Sequence, residues 1–572
     1  MFNFQKTRIL GYIILYLGVL KMEKPIKITF TKNGKEETVN AVSGSQVFSF
    51  MPEFSINGNQ LVAAKVNNEL CSLDSELIFD CKVEPVYNNT KEGMQVYRRS
   101  LCLILAAAAH KLNPKTRLLV GNSICYGYYY TMEGPKIDIK ALKAEMDKII
   151  SADIKIKTGY ISWDQAAKLF EKLNLKETRK QLNHTCTSKV LINSIDDFSD
   201  LYFGPLALST GSLQTFDLIP YHDGLMLRFP KTKEPNVLPK FKDEPKLFGI
   251  FQEYKDWGKR VNVTSAASLN DLIASRKIND FIDISETHQE KCISDIASQI
   301  VKSKKVKVVL IAGPSSSGKT TSAKKLGLEL QAMGYQPKVI SLDCYYAGRD
   351  KTPLDENGKP DYECLEALNV ELLNQNLMDL FDGKEVNIPS YDFHNGKSYF
   401  DENNKMTLEP NEILIMEGIH GLNPKLTEKV PDEYKFKIYL SALTQLNLDD
   451  HNRVSTSDNR LIRRIVRDNN FRGKSAEGTI AMWPSVQKGE ELHIFPYHNN
   501  ADAILNTALD YELSVLRVYA APLLRRVKPS MEEYSEAQRL LRFLENFATI
   551  APTAVPPRSI IREFIGGSAF HY

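Results

Sequence analysis

Several features that would narrow the class of this 572-residue chain at once are missing from it. Its eight cysteines are scattered and form no Cys-x-x-Cys pair, so neither a zinc ribbon nor a disulfide framework is predicted. Free thiols fit a reducing cytosol, and we predict a cytoplasmic protein without zinc. The net charge of +3 gives no support to a dedicated nucleic-acid binder, although the average can hide a local basic patch. Length and composition indicate a soluble chain of about two to four domains.

The chain also lacks an apolar run long enough to cross a bilayer. The run at residues 9–20 has 12 residues, whereas a transmembrane helix needs about 20. No small-x-small cleavage site follows it, as a signal peptide would require. Because Met22 comes soon afterwards and a strand-like segment begins at Ile26, we predict that residues 1–22 reflect a start codon called too early. A signal or membrane anchor is the alternative, and no stable membrane association is expected.

The clearest motif is a glycine-rich loop at residues 313–320, Gly-Pro-Ser-Ser-Ser-Gly-Lys-Thr. It stands between an apolar, β-branched run at 306–312 and a helix-like segment at 321–333, which is the context that a Walker A loop requires. Glycines in such a loop let backbone N–H groups turn toward phosphate oxygens, and the following helix adds its positive end. The predicted nucleotide-binding residues here are Gly313, Pro314, Ser315, Ser316, Ser317, Gly318, Lys319, Thr320 and Thr321.

Two side chains of this loop and two later acids are expected to carry the chemistry. Lys319 reaches the β- and γ-phosphates in a Walker A loop, and the hydroxyl of Thr320 binds Mg²⁺. Asp343 follows the strand-like run 338–342 and faces the ligand crevice, where it can accept the proton of an attacking hydroxyl. A turn aspartate is the alternative for it. Glu417 ends a third apolar run and is predicted to orient Mg²⁺ or its waters.

A basic helix is predicted over residues 460–474. Arg460, Arg463, Arg464 and Arg467 recur at three- and four-residue spacing, so we expect them to share one broad face. Such a helix can act as a lid whose guanidinium groups stabilise the charge that develops in phosphoryl transfer. Nucleic-acid contact and a solvated surface are the alternatives.

Taken in order, these motifs resemble the uridine kinase/phosphoribulokinase family. The matching segments are GPSSSGKT, residues 343–346, 389–393 and 416–419, RRIVRDNNFRG, and residues 495–496 with 501–502. The resemblance implies a P-loop NTPase domain with a doubly wound parallel sheet. It also implies transfer of a phosphoryl group from ATP or GTP, with Mg²⁺, to the 5′-hydroxyl of a pyrimidine nucleoside, uridine or cytidine.

The family's roles carry over position by position. Asp343, Lys319 and Arg467 match catalytic residues, and Thr320 and Glu417 the metal site. Arg464 and Arg472 match further nucleotide-binding arginines, with Asp468 the acid among them. The candidate substrate-binding residues are Asp343, Tyr346, Glu363, Tyr391 and Arg467, together with His394, which is offset from the family's histidine position.

Two departures from the family pattern concern the nucleoside base and the lid. Gly396 stands where the family has a base-contacting histidine, and His394 is the nearest histidine. An insertion around residues 444–457 lengthens the approach to the lid. The base is therefore left open.

The N-terminal half resembles the front of threonyl-tRNA synthetases. Residues 26–86 alternate like a small sheet, with a hairpin signal at Asn33-Gly34, and resemble the ubiquitin-like (β-grasp) TGS domain. Residues 93–230 resemble the α+β second synthetase domain. The positions of that domain's metal ligands hold Arg99, Leu103, Tyr202 and Leu206, which cannot form a zinc site. The resemblance then implies a scaffold, a binding module or a regulator in place of an editing enzyme.

The predicted organisation follows from these segments. It consists of a TGS-like domain at 23–90, a synthetase-like domain at 91–230, linker and helices at 231–295, a kinase domain at 296–510, and C-terminal helices with a tail at 511–572. The predicted function is phosphorylation of a nucleoside by a homo-oligomer. The alternatives are a kinase for another small alcohol and a tRNA- or ribosome-associated module that uses ATP as a switch, with RNA contact through the N-terminal domains.

Overall fold

The computed structural model describes residues 25–32, 35–354, 358, 360–392 and 395–571. The leader at 1–22, the Asn33-Gly34 turn and His394 lie outside the described residues, so the predictions made for them are not tested. Within the described part of the chain, no helix has the length and apolar character needed to cross a membrane.

The first domain is built on a mixed sheet in the order β2–β1–β8–β5–β4, with β6 added to β5. Its first strand alternates as predicted, because Ile26 and Ile28 are buried while Lys27 between them is exposed. Strands β1 and β8 are parallel neighbours at the centre, and the other pairs are antiparallel. The strands are β1 (Pro25–Lys32), β2 (Lys35–Val42), β3 (Ser45–Gln46), β4 (Ser55–Ile56), β5 (Asn59–Val66), β6 (Glu69–Cys71), β7 (Glu76–Leu77) and β8 (Cys81–Tyr87).

The second domain surrounds a long buried helix, α1 (Lys91–Leu112). The side chain of Thr90 caps this helix by accepting a hydrogen bond from the amide of Gly93. Two antiparallel sheets pack around it, in the orders β14–β15–β10–β9 and β11–β12–β13. The elements are β9 (Arg117–Ile124), β10 (Gly127–Glu133), α2 (Ile139–Ser151), β11 (Lys157–Ser162), α3 (Trp163–Lys172), α4 (Lys176–Gln181), β12 (Lys189–Ile195), β13 (Phe198–Asp200), β14 (Asp217–Tyr221) and β15 (Gly224–Arg228).

A segment without helix or strand, residues 231–244, leads into three helices that join the two halves. They are α5 (Pro245–Arg260), α6 (Ala266–Ala274) and α7 (Ile278–Ser303). Phe248 of α5 packs edge-on against Tyr129 of β10, with ring centroids 5.1 Å apart. The linker helices therefore share a core with the second domain.

The kinase half is a five-stranded parallel sheet in the order β17–β20–β16–β21–β22. Every residue of the central strand β16 is buried, because helices cover both faces of the sheet. Val309 and Ile311 pack on the side of α7 and α8, whereas Val308 and Leu310 pack on the side of α9. This confirms the doubly wound parallel sheet. Its elements are β16 (Val308–Ala312), α8 (Lys319–Ala332), β17 (Gln336–Ser341), α9 (Val370–Phe381), β18 (Val386–Asp392), β19 (Lys397–Met406), β20 (Glu412–Glu417), β21 (Lys435–Ser441) and β22 (Ala503–Asn506).

The remaining helices form an apolar cluster beside this sheet. They are α10 (Thr456–Arg472), α11 (Ala476–His493), α12 (Glu512–Leu524), α13 (Tyr534–Leu544) and α14 (Arg562–Ile565). The basic helix α10 ends where the sequence predicts, with Gly473 in the left-handed region at φ +58°.

The insertion around 444–457 does more than lengthen the approach to the lid, because it docks into the second domain through buried polar groups. The guanidinium of Arg117 donates to Asp450 from Nε at 3.0 Å, and the amide of Thr178 donates to the same carboxylate at 2.9 Å. His451 Nδ1 lies 2.6 Å from the buried carboxylate of Asp200. Because these buried polar groups find partners across the contact, the contact between the two halves is specific.

Candidate active site

The glycine-rich loop connects β16 to α8, so the predicted strand, loop and helix are all present. Gly318, at the start of α8, has φ +82°, a conformation that side chains rarely adopt. A Cβ added at Gly313 would lie 2.4 Å from the carbonyl oxygen of Leu440. Both glycines are therefore required for the loop to pass this close to its neighbours.

Lys319 and Thr320 begin α8 at the mouth of the loop. The Nζ of Lys319 donates to the carbonyls of Gly313 at 3.1 Å and Pro314 at 3.4 Å. The hydroxyl of Thr320 donates to Glu417 Oε1 at 3.2 Å. The start of α8 thus meets Glu417 at the end of β20, the strand that lies next to β16 in the sheet.

Glu417 ends β20 and lies almost fully buried beneath the loop. Burial raises the pKa of its carboxyl to about 7, the charge of Asp343 adds to this, and Lys319 opposes it. Its oxygen and the hydroxyl of Thr320 are hard donors of the kind that Mg²⁺ prefers. The described residues hold no group of three or more His, Cys, Asp or Glu side chains that could bind a metal.

Asp343 lies on a short 3₁₀ turn directly after β17 and opens onto the cleft. The surrounding protein desolvates its carboxyl and raises its pKa, while the positive charges of Lys319 and Arg472 oppose that rise. Its carboxyl is therefore near a charged group of the glycine-rich loop and one of the arginine helix.

Three tyrosines form an aromatic wall beside Asp343. The Tyr346 ring lies 5.2 Å from that of Tyr391 and 5.7 Å from that of Tyr362, measured between centroids. The Tyr346 hydroxyl donates to the backbone carbonyl of Tyr362 at 3.1 Å. Burial raises the pKa of Tyr391 to about 12. The structure thus brings the predicted Tyr346 and Tyr391 together and adds Tyr362, to which the sequence assigned no role.

Arg349 fills the space beside Gly396. A Cβ at Gly396 would lie 2.8 Å from Arg349 Nε, and the amide of Arg349 donates to the Gly396 carbonyl at 2.9 Å. Arg349 Nε also donates to the Tyr362 hydroxyl at 3.3 Å. The guanidinium thus lies where the resemblance places a histidine side chain, and sequence reasoning passed this arginine over.

Glu363 lies against helix α11. A Cβ at Gly489 would approach the Glu363 Cβ to 2.9 Å, so the glycine makes room for the acid. Burial raises the pKa of Glu363 to about 7, with a further contribution from Glu490, against the charges of Arg464 and Lys319. The predicted substrate acid is therefore in the cleft, close to the phosphate-binding groups.

The helical arginines face the glycine-rich loop together, as their spacing predicts, because Arg460, Arg463 and Arg464 all donate to Ser315 or Ser316. They divide into two groups by the acids that they pair with. Arg460 and Arg463 are buried and fasten the backbone of the glycine-rich loop, donating to the carbonyls of Ser315 at 3.1 Å and Ser316 at 3.3 Å. Each is neutralised by its own buried acid, because Arg460 pairs with Glu490 and Arg463 with Glu512. These two side chains therefore brace the loop. If α10 moved away from the loop as a lid, both hydrogen bonds would be lost.

The other three arginines converge on a buried acid near the end of α10. Asp468 receives Arg467 at 2.8 Å and Arg464 at 3.3 Å, and Arg472 lies 3.8 Å away. Arg464 Nη1 also donates to the Ser315 hydroxyl at 2.6 Å. This cluster, hereafter the cleft arginines, contacts the glycine-rich loop through Arg464. A lid movement of the helix stays a prediction.

The C-terminal tail contacts the glycine-rich loop. Glu563 accepts a hydrogen bond from the Thr321 hydroxyl at 2.6 Å, and Ile560 lies against Gly318. Asn470 of α10 donates to the carbonyl of Phe564 at 3.1 Å. The predicted nucleotide-binding Thr321 is thus bonded to an acid 242 positions away, which no local pattern reveals.

Comparison with known proteins identifies this half. Residues 308–514 match the profile of the Phosphoribulokinase / Uridine kinase family. A uridine kinase of Macrococcus caseolyticus is 33% identical over 195 residues, which are 34% of this chain and 81% of that protein. The chain belongs to this family. A uridine kinase of Staphylococcus haemolyticus is 31% identical over 192 residues, covering 34% of this chain and 79% of that protein.

The family assignment makes the protein a phosphotransferase of the kinase type, and such kinases use ATP with Mg²⁺ in general. A solved structure described as a possible uridine kinase from Bacillus stearothermophilus aligns over 35% of this chain and 89% of its own, at 19% identity and a TM-score of 0.23. That score is too low to add to the argument. The relatives match the C-terminal half, so the resemblance of the first two domains to synthetase domains stays a prediction.

Proposed function

We propose that this kinase transfers the γ-phosphoryl group of ATP or GTP to the 5′-hydroxyl of a pyrimidine nucleoside, uridine or cytidine. The observation that carries the proposal is the position of Asp343. It lies on the turn directly after β17, whose last residue, Ser341, pairs with Glu417 of β20. Lys319 and Arg472 oppose the rise in its pKa, and its own charge raises the pKa of Tyr346 in the aromatic wall, so these groups lie near it. An acceptor stacked on that wall would place a hydroxyl between the carboxylate and the phosphates.

In this proposal the chain's own residues supply positioning and charge. The amides of the glycine-rich loop and Lys319 hold the phosphates, and Thr320 and Glu417 hold Mg²⁺, which offsets the phosphate charge when bound. Asp343 accepts the proton of the 5′-hydroxyl. The hydroxyl oxygen then bonds to the γ-phosphorus, while the bond between the γ-phosphorus and the oxygen that bridges to the β-phosphate breaks. Arg464, Arg467 and Arg472 stabilise the charge on the transferring group. Glu363 accepts hydrogen bonds from the ribose hydroxyls.

Recognition of the base is assigned to the aromatic wall and Arg349. A pyrimidine presents carbonyl oxygens at its edge, and the guanidinium of Arg349 is a donor held beside Gly396 by Tyr362. This offers a physical substitute for the histidine that the family places there. His394, outside the described residues, remains the second candidate from sequence.

The test is a panel of acceptors with purified full-length protein and ATP·Mg²⁺. We expect transfer to uridine or cytidine, and no transfer to ribulose 5-phosphate or pantothenate. Transfer only to one of those other alcohols would replace the nucleoside assignment, and transfer to no nucleoside would refute it.

For the N-terminal half we propose a TGS-like domain followed by a synthetase-like domain without zinc chemistry. The parallel pair β1 and β8 at the centre of a mixed sheet supports the first part. At the positions of the missing metal ligands, Leu103 and Leu206 are buried and apolar, which supports the second. RNA contact, a homo-oligomer and a cytoplasmic location stay predictions. A filter-binding assay with tRNA at rising salt tests the first of these, since contact with phosphates weakens as salt rises.

A further inference from the structure

A second polar cavity, separate from the cleft, lies between the synthetase-like domain and the start of α10. It has a volume of about 510 Å³, within the range of small-molecule sites. Its walls come from α1, from the segment that follows β13, and from the loop that leads into α10. We call it the interdomain cavity. It belongs to neither the phosphate loop nor the aromatic wall.

Three arginines of this cavity have no acidic partner. Within the described ranges, Arg98, Arg99 and Arg453 form no ion pair, and the Nε of each is buried without a hydrogen-bond partner. Burial, together with the charge of Arg539, lowers the pKa of Arg99 to about 10, so it is still cationic at neutral pH. Burying a guanidinium group without a negative partner lowers the stability of the fold. A bound anion would supply the missing negative charge.

Packing fixes these arginines in place. The Arg98 guanidinium carbon lies 4.3 Å from the centroid of the Phe229 ring, and that of Arg453 lies 5.3 Å from the centroid of the Tyr128 ring. Arg99 donates to the carbonyl of Pro205 at 3.1 Å. The groups are therefore oriented before any ligand arrives.

The cavity also contains acids and other cations, and most of these neutralise each other. Both Nη groups of Arg539 donate to Asp458, at 2.7 and 2.8 Å. Lys91 pairs with Glu536 at 3.2 Å, and Glu491 is exposed at the rim. His451 is bonded to Asp200 as described above. The charge of the three unpaired arginines is thus left over.

Two further features point to a ligand. Tyr202 is only 5% exposed, lines the cavity, and has a hydroxyl with no hydrogen-bond partner in the described structure. The 17-residue helix α10 begins at the cavity, and its first turn adds partial positive charge. An unpaired buried donor, a helix start and three guanidinium groups meet at one place.

We propose that the interdomain cavity binds a phosphorylated small molecule, with its phosphate held by Arg98, Arg99 and Arg453 beside the start of α10. Guanidinium groups match phosphate oxygens in geometry as well as charge. The hydroxyl of Tyr202 donates to the same ligand. The site stands apart from the proposed kinase reaction and does not depend on it.

The test uses the full-length Lys319→Ala protein, in which the phosphate loop is weakened, and inorganic pyrophosphate as the probe. Isothermal titration is expected to detect binding that falls about tenfold or more in an added Arg99→Gln/Arg453→Gln double change. An added Arg472→Gln changes an arginine of the kinase cleft instead and reports any pyrophosphate that binds there. Because the proposal places pyrophosphate in the interdomain cavity, this change is expected to leave binding as it is.

Tyr202→Phe removes only the unpartnered hydroxyl and serves if the arginine variants do not fold. It is expected to weaken pyrophosphate binding severalfold. Three results would each overturn the proposal: no binding to the Lys319→Ala protein, loss with Arg472→Gln in place of the cavity variants, or unchanged affinity in Tyr202→Phe. Binding of an RNA oligonucleotide that pyrophosphate does not displace would overturn it as well.

Discussion

The arginines at the two ends of α10 stand in opposite electrostatic surroundings. The cleft arginines surround the buried acid Asp468, whereas Arg98, Arg99 and Arg453 of the interdomain cavity form no ion pair in the described part of the chain. A shared acid fixes the orientation of the arginines and neutralises part of their charge. This suits a site where negative charge develops only in the transition state, as in phosphoryl transfer. Cations without an acid gain most from an anion that stays bound. We therefore propose that the same residue type serves catalysis at one end and binding at the other.

The largest expected effect is at the cleft, with Asp343→Asn. Loss of the proton acceptor is expected to lower kcat by about 10²- to 10⁴-fold with little change in Tm, since the side chain opens onto the cleft. Initial rates with uridine and a thermal melt measure both. The same change at the exposed Asp382 is the control and is expected to leave kcat alone. A kcat close to that of the unchanged protein would show that Asp343 is not the general base.

Asp468→Asn breaks the comparison directly by leaving the cleft arginines without their acid. Removing one partner of a buried ion cluster is expected to lower the free energy of unfolding by about 3 kcal/mol. The KM for ATP is also expected to rise, because Arg464 and Arg467 lose their fixed orientation. Urea unfolding and steady-state kinetics measure these effects. Unchanged stability would mean that the acid does not hold the cluster together.

The buried acid Glu417 predicts that the stability of the fold depends on pH near neutrality, whereas the arginines stay charged there. Because the folded-state pKa of Glu417 is raised to about 7, the folded protein binds its proton more tightly than the unfolded chain does. Its contribution to stability is therefore full below the unfolded pKa and is lost as pH rises toward and through 7, by about 1 to 3 kcal/mol. Melts between pH 5 and 8 are expected to show a smaller decline in Glu417→Gln. An equal decline would assign the dependence to other groups.

Mg·ATP affinity is expected to change in the opposite direction, since a metal ligand must be ionised. Titrations of Mg·ATP across the same pH range should show tighter binding as pH rises through 7, and a weaker pH dependence in Glu417→Gln. An affinity that does not depend on pH would argue against Glu417 at the metal.

The smallest effect is expected for Arg349→Ala. Arg349 belongs neither to the cleft arginines nor to the interdomain cavity, so it tests an arginine outside both groups. Loss of one guanidinium donor to the base is expected to raise the KM for the nucleoside by roughly three- to tenfold, with a smaller change in kcat. Arg349→Lys, which keeps the charge without the planar fork, is the matched variant. A KM that stays the same in both would leave base recognition to the aromatic wall.

Much of the kinase cleft was predictable because its chemistry is tied to local order. An apolar strand, a glycine-rich loop and a helix fix Lys319 and Thr320, and acids at strand ends reach the same edge of a parallel sheet. Helical spacing, in contrast, gives directions around an axis and says nothing about the neighbours. It therefore could not separate the buried braces Arg460 and Arg463 from the cleft arginines.

Contacts across long stretches of chain were beyond sequence reasoning. Glu563 meets Thr321 only because the tail folds back, and Arg349 reaches Gly396 through a turn whose path no pattern specifies. The docking of Asp450 and His451 into the second domain likewise depends on a complementary surface formed by distant residues. The interdomain cavity emerges from that docking.

The most direct test of the central claim compares uridine with 5′-deoxyuridine as acceptors for full-length protein and ATP·Mg²⁺. Mass spectrometry of the products identifies the phosphorylated species. The proposed reaction predicts uridine 5′-monophosphate from the first and no phosphorylated product from the second, which keeps the base and the other hydroxyls but lacks the attacking one. Phosphorylation of both acceptors, or of neither while ATP is consumed, would contradict it.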